Sequence, residues 1–137
     1  MPRVAGILET CLYVANVEQS AKFYERIFGF ERMLSNERIC ALAVNDRDVL
    51  ILFLQGGTAQ PVELPGGILP PHDGSGQSHF AFAIAKEDLP AWENHLTANG
   101  VAIESRVHWE TGGDSLYFRD LDGHLAELAT PGIWPIY

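Results

Sequence analysis

The chain has 137 residues, of which 47% are hydrophobic, and a formal net charge of −9. This length fits one domain with a buried core, and the acidic balance without a basic stripe excludes nucleic acid and anionic membranes as partners. No stretch approaches the roughly 18 uncharged apolar residues of a membrane span, and no secretory signal is visible, so we expect a cytoplasmic protein.

The first half of the chain predicts one βαβββ unit. Apolar residues at helical spacing mark its helix, Asn16 or Ser20 can cap its start, and Gly29 after them suits a left-handed C-terminal cap. Turn-forming residues 45–48 are expected to join the last two strands as a hairpin. In chain order we predict a strand at residues 6–14, a helix at 20–28 and strands at 30–34, 38–44 and 49–55.

A segment rich in proline and glycine, residues 58–77, links the two halves. Its composition makes regular structure improbable, and a loop of this length inside a compact domain is often functional. The segment carries His72, a candidate substrate contact or proton shuttle. The alternative for His72 is an exposed loop histidine.

The second half repeats the order of the first. Residues 120–123 resemble a fragment of a calcium loop but are too few, so a hairpin turn explains them better. The predicted elements are a strand at residues 78–85, a helix at 89–99 and strands at 101–107, 115–119 and 125–129.

Together the two halves predict an α+β fold of two βαβββ modules. One half cannot cover its own sheet, so we expect the modules to form a curved mixed sheet, a partly open barrel, around a cavity. Module one would cover about residues 4–57 and module two about 78–130, followed by a tail at 131–137. Pairing of the modules within one chain and pairing across a dimer both remain open.

Strand alternation predicts which side chains share a face. Glu9 shares its face with Cys11 and Tyr13, and His79 shares a face with small alanines, while the bulky residues of both strands face the helices. In the last two strands Ser115, Tyr117 and Arg119 lie on one face, and Glu127 lies on the corresponding face of its strand. Cys11 and Cys40 are expected to be buried reduced thiols.

Glu9, His79 and Glu127 therefore converge as candidate metal ligands. Burial of an isolated carboxylate costs on the order of several kcal/mol of folding free energy. A bound divalent cation offsets that cost by neutralising the charge. Glu127 and Glu9 are also the candidate catalytic bases. In the simpler alternative Glu9 reaches solvent at a strand end and His79 is a hydrogen-bonded core histidine.

Five further side chains are predicted to contact substrate. For Arg119 the alternative is a pairing with Glu127 or Asp120, and for Trp109 it is a partly exposed loop position beside His108. The predicted substrate contacts are Tyr13, His72, Trp109, Tyr117 and Arg119.

Motifs spread along nearly the whole chain resemble the vicinal oxygen chelate superfamily, which includes glyoxalase I, extradiol dioxygenases, fosfomycin-resistance proteins and bleomycin-binding proteins. The helix ending in Phe28-Gly29-Phe30 and the ending Asp122-Gly123 followed by Glu127-Leu128 are its most specific parts. The similar segments are residues 12–14, 20–30, 76–82 and 115–128.

The resemblance implies paired modules, usually in a dimer, around a divalent metal. Glu9 then stands where the family has a first-strand ligand, His79 matches the second-module histidine, and Glu127 matches the last-strand glutamate. Glyoxalases take a fourth ligand from the strand at residues 49–55, which is apolar here. The metal implied is Fe, Mn, Ni or Zn, with its identity open.

The leading functional hypothesis is a metal-dependent, glyoxalase-like lyase or isomerase that acts on a small substrate with adjacent oxygens. An extradiol-dioxygenase-like enzyme and a metal-free binding protein of the bleomycin-resistance type are the alternatives. A fosfomycin-type transferase is disfavoured, because it requires a cationic cluster and Arg119 is the only cationic residue on the inferred face.

Overall fold

The computed structural model describes all residues, Met1–Tyr137. The chain forms two compact units, Met1–Ser75 and Gly76–Tyr137. Each unit contains one strand, one α-helix and three further strands in that order, and unit one then has two more short strands. The predicted α+β class with two βαβββ modules is confirmed.

Unit one contains a four-stranded mixed sheet in the order β1-β4-β3-β2. The first strand runs parallel to the fourth, and the other neighbours are antiparallel. The elements are β1 (Glu9–Val14), α1 (Val17–Phe28), β2 (Glu31–Ser35), β3 (Ile39–Ala43), β4 (Val49–Leu54), β5 (Val62–Leu64) and β6 (Gly67–Leu69).

Helix α1 owes its limits to two caps. The Asn16 side chain accepts a hydrogen bond from the Gln19 N–H at 2.9 Å, and Gly29 ends the helix with a left-handed φ of 70°. The apolar stripe of the helix packs on the sheet, as the 3.6-residue period predicts. Its buried residues are Val17, Ser20, Ala21, Phe23, Tyr24 and Ile27.

Unit two contains a second four-stranded mixed sheet, in the order β7-β10-β9-β8. Here too the first strand is parallel to the last, and the remaining pairs are antiparallel. The elements are β7 (His79–Ala83), α2 (Leu89–Ala98), β8 (Ile103–His108), β9 (Asp114–Arg119) and β10 (Leu125–Ala129), with a short 3₁₀ turn, Lys86–Asp88, before α2.

The turn between β9 and β10 is a hairpin turn, as expected. Asp120 Oδ1 accepts hydrogen bonds from the N–H groups of Asp122 and His124, both at 2.9 Å. His124 is buried, and its Nδ1 accepts from the Ser78 N–H at 2.9 Å. This bond fixes the start of β7, directly before His79.

Two expectations from the sequence were wrong. The linker is not without regular structure, because β5 and β6 pair as a short hairpin across the dipeptide Pro65-Gly66, a combination that favours a tight turn. Cys11 is exposed on β1, whereas Cys40 is buried as expected. Cys11 lies on the strand face opposite α1, which the helix does not cover.

No helix of the chain is both long enough and apolar enough to span a membrane.

Candidate metal centre

Two neighbouring strands of unit two bring a histidine and a glutamate together. Leu125 pairs with His79 and Glu127 pairs with Ala81, so alternation places His79 and Glu127 on the same face. His79 Nε2 lies 3.2 Å from Glu127 Oε2. His79 and Glu127 therefore share one face of the sheet of unit two, as strand alternation predicted.

The backbone holds one nitrogen of the His79 ring. Nδ1 lies 2.9 Å from the carbonyl oxygen of Leu125, and a carbonyl can only accept, so Nδ1 carries a hydrogen. Nε2 faces the carboxylate of Glu127, with a lone pair when the ring is neutral and with an N–H donor when it is protonated. Two acceptors at this distance require a proton or a metal cation between them.

The pair fits a divalent cation. Nitrogen and oxygen ligands at 2.0–2.2 Å from one ion, placed at a right angle, lie about 3.0 Å apart, close to the observed separation. The site opens on the histidine side, because the His79 side chain is 51% exposed and that of Glu127 only 9%. No group of three or more His, Cys, Asp and Glu side chains that could hold a metal ion is present.

A hydrogen-bond relay holds the other oxygen of Glu127. Trp109 Nε1–H donates to Ser115 Oγ at 2.8 Å, and the Ser115 hydroxyl donates to Glu127 Oε1 at 2.5 Å. Tyr117 lies opposite Glu127, on β9. Burial raises the pKa of Tyr117, the Ser115 hydroxyl opposes the rise, and Glu127 adds to it.

Ser115 is the site residue that sequence reasoning did not select. Alternation had placed it on the correct face, but a serine in a strand carries no distinctive signal. Trp109 is part of this relay and Tyr117 lies opposite Glu127, and their predicted contact with substrate stays a prediction. Tyr117 also lies beside His79, with ring centroids 6.1 Å apart.

Arg119 pairs with neither Glu127 nor Asp120. Its Nε donates to Glu104 Oε2 at 2.7 Å and its Nη1 donates to the carbonyl of Gly123 at 3.0 Å. The hydrogen bond to Glu104 raises the pKa of Arg119 and lowers that of Glu104. A role for Arg119 in substrate binding stays a prediction.

Glu9 lies in unit one, at the start of β1, where it is exposed. It pairs with Val49, and the residues that follow on the same face of β4 are Ile51 and Phe53. This face of β4 offers no metal ligand, as the sequence indicated. The assignment of Glu9 as ligand or base stays a prediction.

Tyr13 and His72 contact each other in unit one. The Tyr13 hydroxyl lies 2.6 Å from His72 Nδ1, and the ring of Phe53 lies edge-on to His72 with centroids 4.7 Å apart. Thr58 holds the backbone of His72 from both sides, by accepting from its N–H at 3.0 Å and donating to its carbonyl at 2.5 Å. His72 is thus a fixed residue, at the edge of a cavity of about 320 Å³.

Comparisons with known proteins find curated relatives of two kinds. The chain is 30% identical over 133 residues to the metallothiol transferase FosB of Bacillus licheniformis, covering 96% of this chain and 79% of that protein. It is 25% identical over 118 residues to catechol-2,3-dioxygenase of Bacillus subtilis, covering 85% of this chain but 38% of that protein.

A solved structure and a family model extend these similarities over almost the whole chain. Lactoylglutathione lyase from Agrobacterium tumefaciens superposes with a TM-score of 0.88 at 26% identity, covering 98% of this chain and 99% of that one. The family model that matches covers residues 6–128. The chain therefore belongs to the Glyoxalase/Bleomycin resistance protein/Dioxygenase superfamily, the vicinal oxygen chelate proteins.

Proposed function

We propose that this protein is a divalent-metal-dependent enzyme with glyoxalase-like lyase or isomerase chemistry. The observation that carries the proposal is the position of the His79 ring, whose Nδ1 is held by the carbonyl of Leu125 and whose Nε2 lies 3.2 Å from Glu127 Oε2. His79 and Glu127 would hold the cation, and Glu9 is the candidate for a further ligand. Fe, Mn, Ni and Zn all suit such donors.

The chain's own groups suit proton transfer at the site. A cation bound there would act as a Lewis acid on adjacent substrate oxygens. Glu127 Oε1 is held by Ser115, so Oε2, on the side that opens toward His79, would be the atom that binds the cation or, once off it, accepts a proton. A fixed carboxylate of this kind can accept a proton from one carbon and return it to the next.

The choice of chemistry rests on two supports. The first is the similarity to a lactoylglutathione lyase over nearly the whole chain. The second is that Arg119 is engaged by Glu104, which leaves no cationic cluster on the site face of unit two. Because an anionic substrate would need such a cluster, lyase or isomerase chemistry on a neutral or weakly charged substrate fits better.

A thiol transferase is the second candidate. It is favoured by the 30% identity to metallothiol transferases that covers 96% of the chain. Both candidates need the same cation and the same two ligands. The two candidates differ in product. The product of the lyase is a thioester, whereas the transferase joins a thiol to a second molecule.

The proposal extends to partners and location. We expect a small-molecule substrate with two neighbouring oxygens, a homodimeric assembly and a cytoplasmic protein. None of these depends on which of the two reactions is correct.

The decisive experiment measures metal binding before activity. Protein stripped with chelator is titrated calorimetrically with Mn, Fe, Ni and Zn, and compared with the variants His79→Gln and Glu127→Gln. We expect one site in the parent and at least about tenfold weaker binding, ~1.4 kcal/mol, in each variant. His95→Gln, an exposed histidine on α2, is the control and should bind as the parent does.

Absence of binding by all four metals would contradict the proposal and favour a metal-free binding protein. Equal binding by the parent and His79→Gln would contradict the assigned ligands. With metal bound, an assay for lactoylglutathione formation and an assay for thiol transfer then separate the two candidate reactions.

A further inference from the structure

Unit one contains a cleft that none of the proposed chemistry requires. It lies between strands β2 to β4 and the β5–β6 hairpin, and its volume is about 320 Å³. Clefts of roughly 300–1,000 Å³ hold small ligands. The apolar residues of its walls include Leu34, Ile39, Phe53, Val62, Leu64 and Leu69.

Leucines converge on this cleft without being buried by the protein. Leu34 and Leu69 are each 52% exposed and Leu64 is 49% exposed. One exposed leucine is ordinary, but several that line one concavity mark a binding surface. A ligand that covered them would remove this apolar area from water.

Arg38 supplies one cation to the same cleft. Its Nε and Nη2 atoms both donate to the carbonyl of Gly57, at 3.1 and 2.7 Å, which fixes the guanidinium and leaves Nη1 without a protein acceptor. Arg38 forms no salt bridge, whereas Arg32 and Arg119 pair with carboxylates. A fixed guanidinium without a counter-charge beside an apolar wall favours an anion.

His72 adds a donor to the cleft. When the Tyr13 hydroxyl donates to Nδ1, the hydrogen of the neutral ring is on Nε2, and Nε2 has no partner within the protein. Asn36 also lines the cleft; its Oδ1 is used by the N–H groups of Arg38 and Ile39, and its amide N–H₂ is available. The polar groups that remain at the cleft are therefore mainly donors.

We propose that this cleft binds a small amphipathic monoanion, with a carboxylate or similar group at Arg38 and an apolar, ring-sized body against Phe53 and the leucines. A single cation in a chain of net charge −9 favours one negative charge over several. Binding of this molecule to the cleft does not depend on the proposed metal chemistry.

The test uses full-length, metal-free protein and two matched probes. 2-Naphthoate is titrated calorimetrically beside its uncharged analogue, 2-naphthamide, into the parent and Arg38→Gln. We expect saturable binding of 2-naphthoate, a preference for it over 2-naphthamide, and a loss of about tenfold in 2-naphthoate affinity in Arg38→Gln. Arg47→Gln, an exposed arginine outside the cleft, should bind as the parent does.

The apolar wall has its own pair of variants. Leu69→Asn should weaken both probes, and Leu121→Asn, a 60% exposed leucine in the β9–β10 turn, should weaken neither. No saturable binding of 2-naphthoate, equal affinity for both probes, or unchanged 2-naphthoate binding in Arg38→Gln would overturn the inference. His79→Gln should retain 2-naphthoate binding while it loses metal, so failure of the cleft and failure of the metal centre are distinguishable.

Discussion

Ser115 decides the orientation of Glu127. Its hydroxyl accepts from Trp109 and donates to Glu127 Oε1, so Ser115→Ala leaves a nearly buried carboxylate oxygen without this donor. Loss of such a bond costs roughly 1–3 kcal/mol, and residues that orient metal ligands change affinity about 10- to 100-fold. We expect Ser115→Ala to unfold at lower urea and to bind metal at least about tenfold more weakly.

The matched control for this variant is Ser105→Ala, an exposed serine on β8 of the same sheet. It should leave both stability and metal affinity unchanged. If Ser115→Ala binds metal as tightly as the parent, the hydrogen-bond relay from Trp109 through Ser115 does not position Glu127.

Tyr13 predicts a specific behaviour at alkaline pH. Burial raises the pKa of its phenol above the usual value near 10, and the charges of Cys11 and Asp73 add to the rise. The folded state therefore keeps this proton above the pH at which unfolded tyrosine releases it. Its stabilising contribution is complete below about pH 10 and is lost as the pH rises through the raised pKa.

An ultraviolet titration of phenol ionisation checks this expectation for Tyr13. Tyr13→Phe should remove one late-ionising group, and the fall in urea stability between about pH 9 and about pH 11 should be smaller than in the parent. If Tyr13→Phe instead removes a phenol that ionises at the usual pH, the assignment is contradicted.

Alternation alone predicted much of the site at the residue scale. A period of two places Tyr117 and Glu127 on one face, and His79 with them, once the strands pair in the observed register. The ion pair of Arg119 with Glu104 was not predictable, because it depends on the irregular pairing of β8 with β9. The contact between Tyr13 and His72 was equally hidden, since 59 residues separate them.

The helix caps illustrate what is predictable at the scale of elements. Asn16 and Gly29 were both recognisable as cap residues, and the structure uses both. The predicted helix start at residue 20 was nevertheless three residues late. Ser20 is also a cap residue by type, but Asn16 is the cap in the structure and the helix begins at Val17. The β5–β6 hairpin was missed because proline and glycine signal both a loop and the tight turn of a hairpin.

Asn16→Ala tests the first cap. The substitution removes the oxygen that accepts the Gln19 N–H, which should cost about 1 kcal/mol of unfolding free energy. Asn16→Ser keeps a capping oxygen and should remain within a few tenths of a kcal/mol of the parent. Urea denaturation at neutral pH measures both, and an equal loss in the two variants would mean that the cap does not limit stability.

At the scale of the whole molecule, exposed apolar residues beside an edge strand predict a homodimer. β1 and β7 are edge strands of their sheets, and Ile7 and Leu8, just before β1, are 84% and 65% exposed. Proteins cover or pair such edges. Light scattering on a sizing column should give the mass of two chains for the parent. Leu8→Lys should shift the mass toward that of one chain, whereas the control Leu121→Lys should not. A parent with the mass of one chain would contradict the prediction.

Metal binding and global stability should be linked. A cation that binds the folded chain and not the unfolded one stabilises it by about 2.7 kcal/mol at a free concentration of 100 times its Kd. Thermal unfolding with metal should therefore occur several degrees above unfolding in chelator, and the difference should vanish in His79→Gln because Nε2 is lost as a ligand. Unfolding of the same variant in chelator measures what the contacts of His79 with Leu125 and Glu127 contribute without metal, which separates metal loss from damage to the fold. A chelator effect that persists in His79→Gln would place the stabilising cation elsewhere in the chain.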